Sequence, residues 1–250
     1  MTFKFLNAEN KQKASNYEDD SRSPSIVVAP QGGNHYTVNI TQEFGDAYSF
    51  DNVIALLNNA TEYDDITFNI SSRGGHLFSL IAVQNALSTT QARFHMVLLG
   101  QACSAGGALF LTEGAASYQI GKHTMLMIHP VQCGTGYGAA YENQTRANAN
   151  SVINENFVRS CYQDFLTEEE INDVIKNNRE IYMFDDEVSE RLAKRIELRG
   201  VQLQEKMIEA EESLEADSFE DVPDEVLKAE REAITQELRK RSKLAKKASV

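Results

Sequence analysis

Cysteine is scarce in this chain. Only Cys103, Cys133 and Cys161 occur in 250 residues, with no CxxC pair, so neither a disulfide framework nor a zinc site is indicated and a reducing, cytoplasmic setting is expected. Long apolar runs are missing too. No stretch approaches the ~20 residues of a membrane span, and the opening segment Met1 to Asn10 has no apolar h-region, so a soluble, non-secreted protein is expected. Positive charge is in deficit, with 24 Lys and Arg against 37 Asp and Glu and a formal net charge of −13. That balance argues against a general nucleic-acid or anionic-membrane binder. No GxxxxGK[ST] loop is present, so an ATP-driven step would need a separate protein. What is plentiful is core-forming material: 42% of residues are hydrophobic, enough for one substantial α/β domain plus an extension.

Residues 1–34 are polar, carry Asp19-Asp20-Ser21-Arg22-Ser23-Pro24 and Gly32-Gly33, and read as a flexible N-terminal arm with one short strand at Ser25 to Val28. Beyond it, Tyr36, Val38 and Ile40 alternate as on a strand, and Ser49 is placed to cap a helix whose Phe50, Val53, Ile54 and Leu57 share one face. The β-α unit recurs twice. Strand Ile66 to Ile70 precedes a helix with Leu77, Leu80, Ile81 and Leu87, and strand Phe94 to Leu99 precedes a helix opening at Ser104. This alternation predicts a mainly parallel sheet covered by helices, with ligands at the carboxyl ends of its strands.

Ala116 to Ile120 and Thr124 to Ile128 read as two further strands. A long polar helix from about Ala139 to Phe165 has few apolar anchors, among them Val152, Ile153, Phe157 and Val158, the pattern of a helix that projects or packs on another subunit. Thr167-Glu168-Glu169-Glu170 is a capping-box pattern for a short helix with Ile171, Val174 and Ile175 inward. From about residue 197 the composition turns strongly charged, acidic over Glu205 to Glu232 and basic over Arg239 to Lys247. The segment 196–250 reads as charged helices split near Pro223, outside the catalytic core, serving as solvated faces, oligomer contacts or partner-docking elements.

The chemistry-bearing feature is Gly100-Gln101-Ala102-Cys103-Ser104-Ala105-Gly106-Gly107-Ala108-Leu109, together with His129 after Met125-Leu126-Met127-Ile128. A small-residue turn that ends a strand, exposes a serine and opens a helix presents a nucleophile beside amides able to bind an oxyanion. Ser104 is also what a plain helix N-cap looks like, and a lone His129 could be a hydrogen-bonded core histidine; the pairing favours catalysis. Pro130 holds the backbone extended and sets the imidazole at the strand end. His123 is a rival, but at roughly 3.3 Å per residue it stands about 20 Å away at the other end of the strand. Cys103 is a rival nucleophile and otherwise a small inward-packing hydrophobe. Gly74-Gly75 can turn its backbone toward the site and supply an oxyanion amide in addition to that of Ala105.

Three blocks in order, Ser71-Ser72-Arg73-Gly74-Gly75 with the helix after it, Gly100 to Gly107, and Met127-Ile128-His129-Pro130, resemble the proteolytic subunit of the Clp protease over roughly residues 35–195. The resemblance implies a ClpP/crotonase-type α/β fold, a mainly parallel sheet with flanking helices and a protruding handle helix, to which the composition adds a charged helical C-terminal extension that ordinary members lack. It implies Ser104 as nucleophile, His129 as base, and the amides of Gly75 and Ala105 as the oxyanion hole. The family's acid precedes an aromatic-rich segment, here Arg179-Glu180-Ile181-Tyr182-Met183-Phe184, so Glu180 takes that place and Asp185 reads as the N-cap of the next helix. Arg73 stands where the family commonly has proline.

By the same resemblance the chain would be a serine endopeptidase that cleaves unfolded polypeptide inside a ring homo-oligomer, a heptamer or paired tetradecamer, fed by an AAA+ unfoldase. No metal or organic cofactor is expected. A phage head-maturation protease with a scaffold-binding C-terminus, or a ClpP-like assembly protein without activity, are the alternative readings. A crotonase-type acyl-CoA enzyme would not need the Ser104 and His129 pair.

Overall fold

The computed structural model describes residues 24–30, 33–134 and 136–218. The chain divides into two compact units, Met1–Arg195 and Ile196–Val250, and the candidate site lies in the first. Strands β1 (Ser25–Pro30), β2 (Asn34–Ile40), β3 (Asp65–Ser72), β4 (Arg93–Cys103), β5 (Ser117–Ile120), β6 (Met125–Ile128) and β7 (Ile181–Phe184) form one sheet. The helices are α1 (Asp51–Asn59), α2 (Leu77–Thr89), α3 (Ala105–Phe110), α4 (Ala140–Tyr162), α5 (Glu168–Asn177) and α6 (Asp185–Ser218), with a 3-10 turn at Ala47–Phe50. None of the described helices is long and apolar enough to cross a membrane.

The sheet order is β1-β2-β3-β4-β6-β7, with β5 also on β4. Parallel pairing runs through β2, β3, β4, β5 and β6, while β1 and β7 are antiparallel additions at the edges. This is the mixed α/β architecture that the alternating pattern predicts. The short strand anticipated at Ser25 to Val28 extends to Pro30, and its ladder with β2 makes it part of the sheet rather than of a separate arm. The rest of that arm, up to residue 23, and the split expected at Pro223 lie outside the described residues.

Period-two burial explains the centre of the sheet. Ile66, Phe68 and Ile70 on β3 and Phe94, Met96 and Leu98 on β4 point into the core, each contributing about 1.5–3 kcal/mol. Val53 and Leu57 of α1 and Leu80, Val83 and Leu87 of α2 cover that layer. Alternation fails after Leu98, because the β3–β4 register slips from Ile70↔Leu98 to Ser72↔Ala102. The slip re-aims the last residues of β4, which leave β5 at Leu98 and pair with β6 from Gln101 to Cys103. One long strand thus carries its C-terminal end to the end of β6.

Two capping expectations are corrected. Ser49 sits inside the 3-10 turn and its hydroxyl caps nothing, since the chain enters α1 directly from that turn. Asp185 is the first residue of α6, and its Oδ2 accepts the His123 amide at 2.9 Å, tying the start of α6 to the turn before β6. The Thr167–Glu170 capping box opens α5 as read, with Thr167 Oγ1 accepting from the Glu170 amide at 3.2 Å. α5 and α6 are clamped by a two-pronged contact from Arg191 to Glu170 at 2.7 and 2.9 Å. That hydrogen bonding holds the Glu170 carboxyl down at about 2, against the burial that opposes it. Arg195, only 3% exposed, donates to the carbonyls of Leu111 and Cys161 and closes the ends of α3 and α4.

Candidate active site

β4 ends at Cys103, and Ser104 follows with φ 55° and ψ −121°, a left-handed conformation that a non-glycine residue adopts at a cost of about 1–3 kcal/mol. Its backbone is held there. The Ser104 amide donates to the Met127 carbonyl at 2.8 Å, and α3 begins immediately afterwards. The Ser104 side chain makes no helix-capping hydrogen bond, so the N-cap explanation of this serine is set aside. A strained serine on a strand-to-helix turn is the geometry of a nucleophile elbow. The small residues beside it sit in tight quarters: a Cβ on Gly106 would lie 3.0 Å from the Ser72 carbonyl, and one on Gly107 3.0 Å from that of Ala102.

Gly74 and Gly75 take φ of +96° and +140°. A Cβ on Gly74 would meet the Cys103 carbonyl at 2.5 Å and the Ala105 amide nitrogen at 2.8 Å, so the glycine backbone lies directly against the serine turn. Phe44 bridges this segment in parallel fashion, its amide donating to the Gly74 carbonyl at 2.7 Å and its carbonyl accepting from the His76 amide at 2.8 Å. In such a bridge the amide of the central residue, Gly75, points to the opposite side. Ser72 completes the support by donating to the Gln42 carbonyl at 2.6 Å and accepting from the Gly74 amide at 3.1 Å.

His129 follows β6, next to the buried Pro130. Because Cys103 pairs with Met127, the strand ends bring Ser104 and His129 to the same cavity. The Nδ1 atom of His129 is buried and has no hydrogen-bond partner. The segment after Pro130 is anchored by the Val131 amide donating to Asn154 Oδ1 of α4 at 2.7 Å. His123 is exposed and does not line that cavity. Cys103 is buried, which pushes its thiol up and away from the reactive thiolate, although Arg73 works in the other direction.

Glu180 precedes β7, exposed, and does not line the cavity. Its Oε2 accepts from the Tyr182 hydroxyl at 2.8 Å. The β6–β7 register, Met127↔Tyr182 and Ile128↔Ile181, sets Glu180 across from His129 when carried one residue further. The structure thus brings Ser104, His129, Gly75 and Ala105 together at one cavity and leaves Glu180 out of its lining, bonded to Tyr182.

The cavity measures about 500 Å³. Leu77, Phe78, Ile153, Phe157 and Tyr162 supply an apolar wall, and Glu43, Arg73, His76 and Asn150 supply polar groups. Burial holds the Tyr162 hydroxyl well above the usual tyrosine range, so it stays protonated. Among the described residues no cluster of His, Cys, Asp and Glu is placed to hold a metal ion. Residues 34–191 match the family described as Clp protease. The chain belongs to the Clp protease family. The match covers the whole described sheet except β1, so the cavity is that of a Clp protease domain, of ClpP peptidase type. A comparison with curated proteins finds no match.

Three contributors to this Clp protease site are not singled out by sequence reasoning. Ser72 could have been found, since it is a polar residue in the inward phase of β3, where only a hydrogen-bonding task justifies a hydroxyl. Asn154 lies one turn from Val158 and Phe157, on the anchored part of α4. Tyr182 gives no such signal, because an aromatic residue in a strand is ordinarily core.

Proposed function

We propose that this Clp protease domain is a serine endopeptidase in which Ser104 is the nucleophile, His129 the general base, Glu180 the acid that orients it, and the amides of Gly75 and Ala105 the oxyanion hole. The observation that carries the reading is the left-handed Ser104, its hydroxyl uncommitted to the helix, on one cavity with His129, Gly75 and Ala105. In the reaction His129 takes the Ser104 proton as Oγ attacks the scissile carbonyl, the two amides take up the developing negative charge, and the same imidazole protonates the leaving amine. Water then repeats the sequence on the acyl-enzyme. Substrates are unfolded polypeptides admitted to a chamber built by a ring homo-oligomer, delivered by an AAA+ unfoldase in the cytoplasm, with no metal or organic cofactor.

A second reading, an assembly protein without turnover, is favoured by one observation: Nδ1 of His129 has no partner while Glu180 bonds Tyr182. Labelling of size-fractionated protein with a fluorophosphonate probe separates the two. Labelling of a large oligomer that disappears in Ser104→Ala is the expected result. An intact oligomer that never labels would favour the assembly protein.

A further inference from the structure

Glu180 and Tyr182 are two residues apart at the start of β7, so their side chains share one face, and that face is the one His129 and Met127 occupy across the β6–β7 ladder. The Tyr182 hydroxyl donates to Glu180 Oε2 at 2.8 Å. Across the ladder, Nδ1 of His129 is buried without any acceptor. The carboxylate thus accepts from a donor on its own strand, while His129, one residue past the end of the ladder, has a buried nitrogen with no acceptor. We propose that Tyr182 is a positioning residue whose hydroxyl holds the Glu180 carboxylate off His129, so that activity is set by competition between a phenol and an imidazole for a single acceptor. The inference rests on the Ser104–His129–Glu180 reading above.

Residue chemistry supports the competition. Glutamate has one more methylene than aspartate, so its carboxylate can swing between a neighbour two residues along its own strand and a partner on the facing strand. The Tyr182 hydroxyl is pushed up by its bond to Glu180, which keeps it a protonated donor at neutral pH. Tyr182 is 51% exposed, so the contact is open to water and the bond is weak enough to exchange. The Tyr182–Glu180 bond is the one made, and because the exposed phenol and the carboxylate can both turn to water, its hold on Glu180 has only the net strength of one exposed hydrogen bond. The effect on rate is accordingly modest.

The experiment compares the full-length chain with Tyr182→Phe, Glu180→Gln and the double variant, reading kcat and KM on a fluorogenic peptide and the rate of fluorophosphonate labelling, with Ser104→Ala as the blank. Matched elution in size-exclusion chromatography confirms that the variants share one assembly state. In the Glu180 background Tyr182→Phe is expected to raise kcat and the labelling rate about three- to fivefold at unchanged KM, the scale of one exposed hydrogen bond released. In the Glu180→Gln background the same substitution should change neither rate. An unchanged or lower rate in Tyr182→Phe, or an equal gain in both backgrounds, would overturn the proposal while leaving the triad reading in place. Hydrolysis that persists in Ser104→Ala, or the absence of labelling from every variant, would remove the triad reading and this inference together.

Discussion

The serine end of the cavity and the glutamate near β7 are built on different terms. Ser104, Gly74 and Gly75 are placed by backbone: the Ser104 amide on Met127, the Phe44 bridge to Gly74 and His76, and a glycine contact too close for any side chain. Glu180 is placed by one exposed side-chain hydrogen bond. Backbone contacts in a packed interior admit few alternatives, since moving one strand end moves its neighbours. A glutamate with free rotamers beside water admits several. The serine end is thus rigid and the glutamate adjustable, and a substitution at the glutamate can be made without disturbing the fold.

The sharpest way to break the rigid end is Gly74→Ala. The added methyl collides with the Cys103 carbonyl and the Ala105 nitrogen at a φ of +96°, so either the glycine turn or the serine turn must move. Displacement of about 1 Å at reacting atoms costs roughly a hundredfold in rate. Peptide hydrolysis and fluorophosphonate labelling should fall by about that factor or more, and labelling near the native rate would show that the turn is less constrained than its contacts imply.

The helices flanking β7 hold a separate store of stability in the Arg191–Glu170 clamp. Glu170, whose side chain is 18% exposed, has its carboxyl held at about 2 instead of 4.5 by Arg191. A depressed folded value contributes stability that is fully present above about pH 4.5 and is lost as the pH falls toward 2. The contribution at neutral pH has an upper bound near 3 kcal/mol. Glu170→Gln should therefore lower the urea midpoint at pH 7 and flatten the dependence of stability on pH between about 4.5 and 2; an unchanged pH dependence would assign the clamp no role.

A smaller effect is expected from Ser72→Ala. It removes the hydroxyl that joins the Gln42 carbonyl to the Gly74 amide and leaves both without that partner in a buried place, at a cost of about 1–3 kcal/mol. The thermal midpoint should drop, and kcat should fall by about tenfold through a loosened Gly75, with the oligomer intact. Equal activity in a destabilised variant would separate the support of the fold from the support of the Gly74-Gly75 turn. The Tyr182→Phe effect is the smallest of the series, because it acts on the exposed glutamate alone.

Much of the fold is legible in residues. The β-α alternation, the inward phases of β3 and β4 and the Thr167–Glu170 cap are local patterns with local causes, and each occurs near its expected place. The β3–β4 slip is not legible, because Leu98-Leu99-Gly100-Gln101 reads as plain continuation while the register is set by the strands that receive β4. Ser49 and Asp185 mislead for a related reason: a capping residue is a preference of the local chain, and the 3-10 turn and the His123 amide compete for the same positions. At the site, Ser104, His129, Gly75 and Ala105 are legible as a set, and Glu180 is legible as a position but not as a contact.

By itself the sequence determined which residues could carry chemistry and roughly where β2 to β6 lie along the chain, because small residues at turns and period-two burial act within a few residues of their cause; the ends of β1, β3 and β4 run past their expected places, and β7 reads only as an aromatic-rich segment. Tertiary structure alone decided which of those ends meet. The pairing of β4 with β6 brings Ser104 and His129 to one cavity, and the pairing of β6 with β7 stops at Ile128↔Ile181, one residue short of His129 and Glu180, while the Tyr182 hydroxyl donates to the Glu180 carboxylate. Such choices depend on the register of distant segments and on which of two donors reaches an acceptor first in space, and neither is encoded by spacing along the chain.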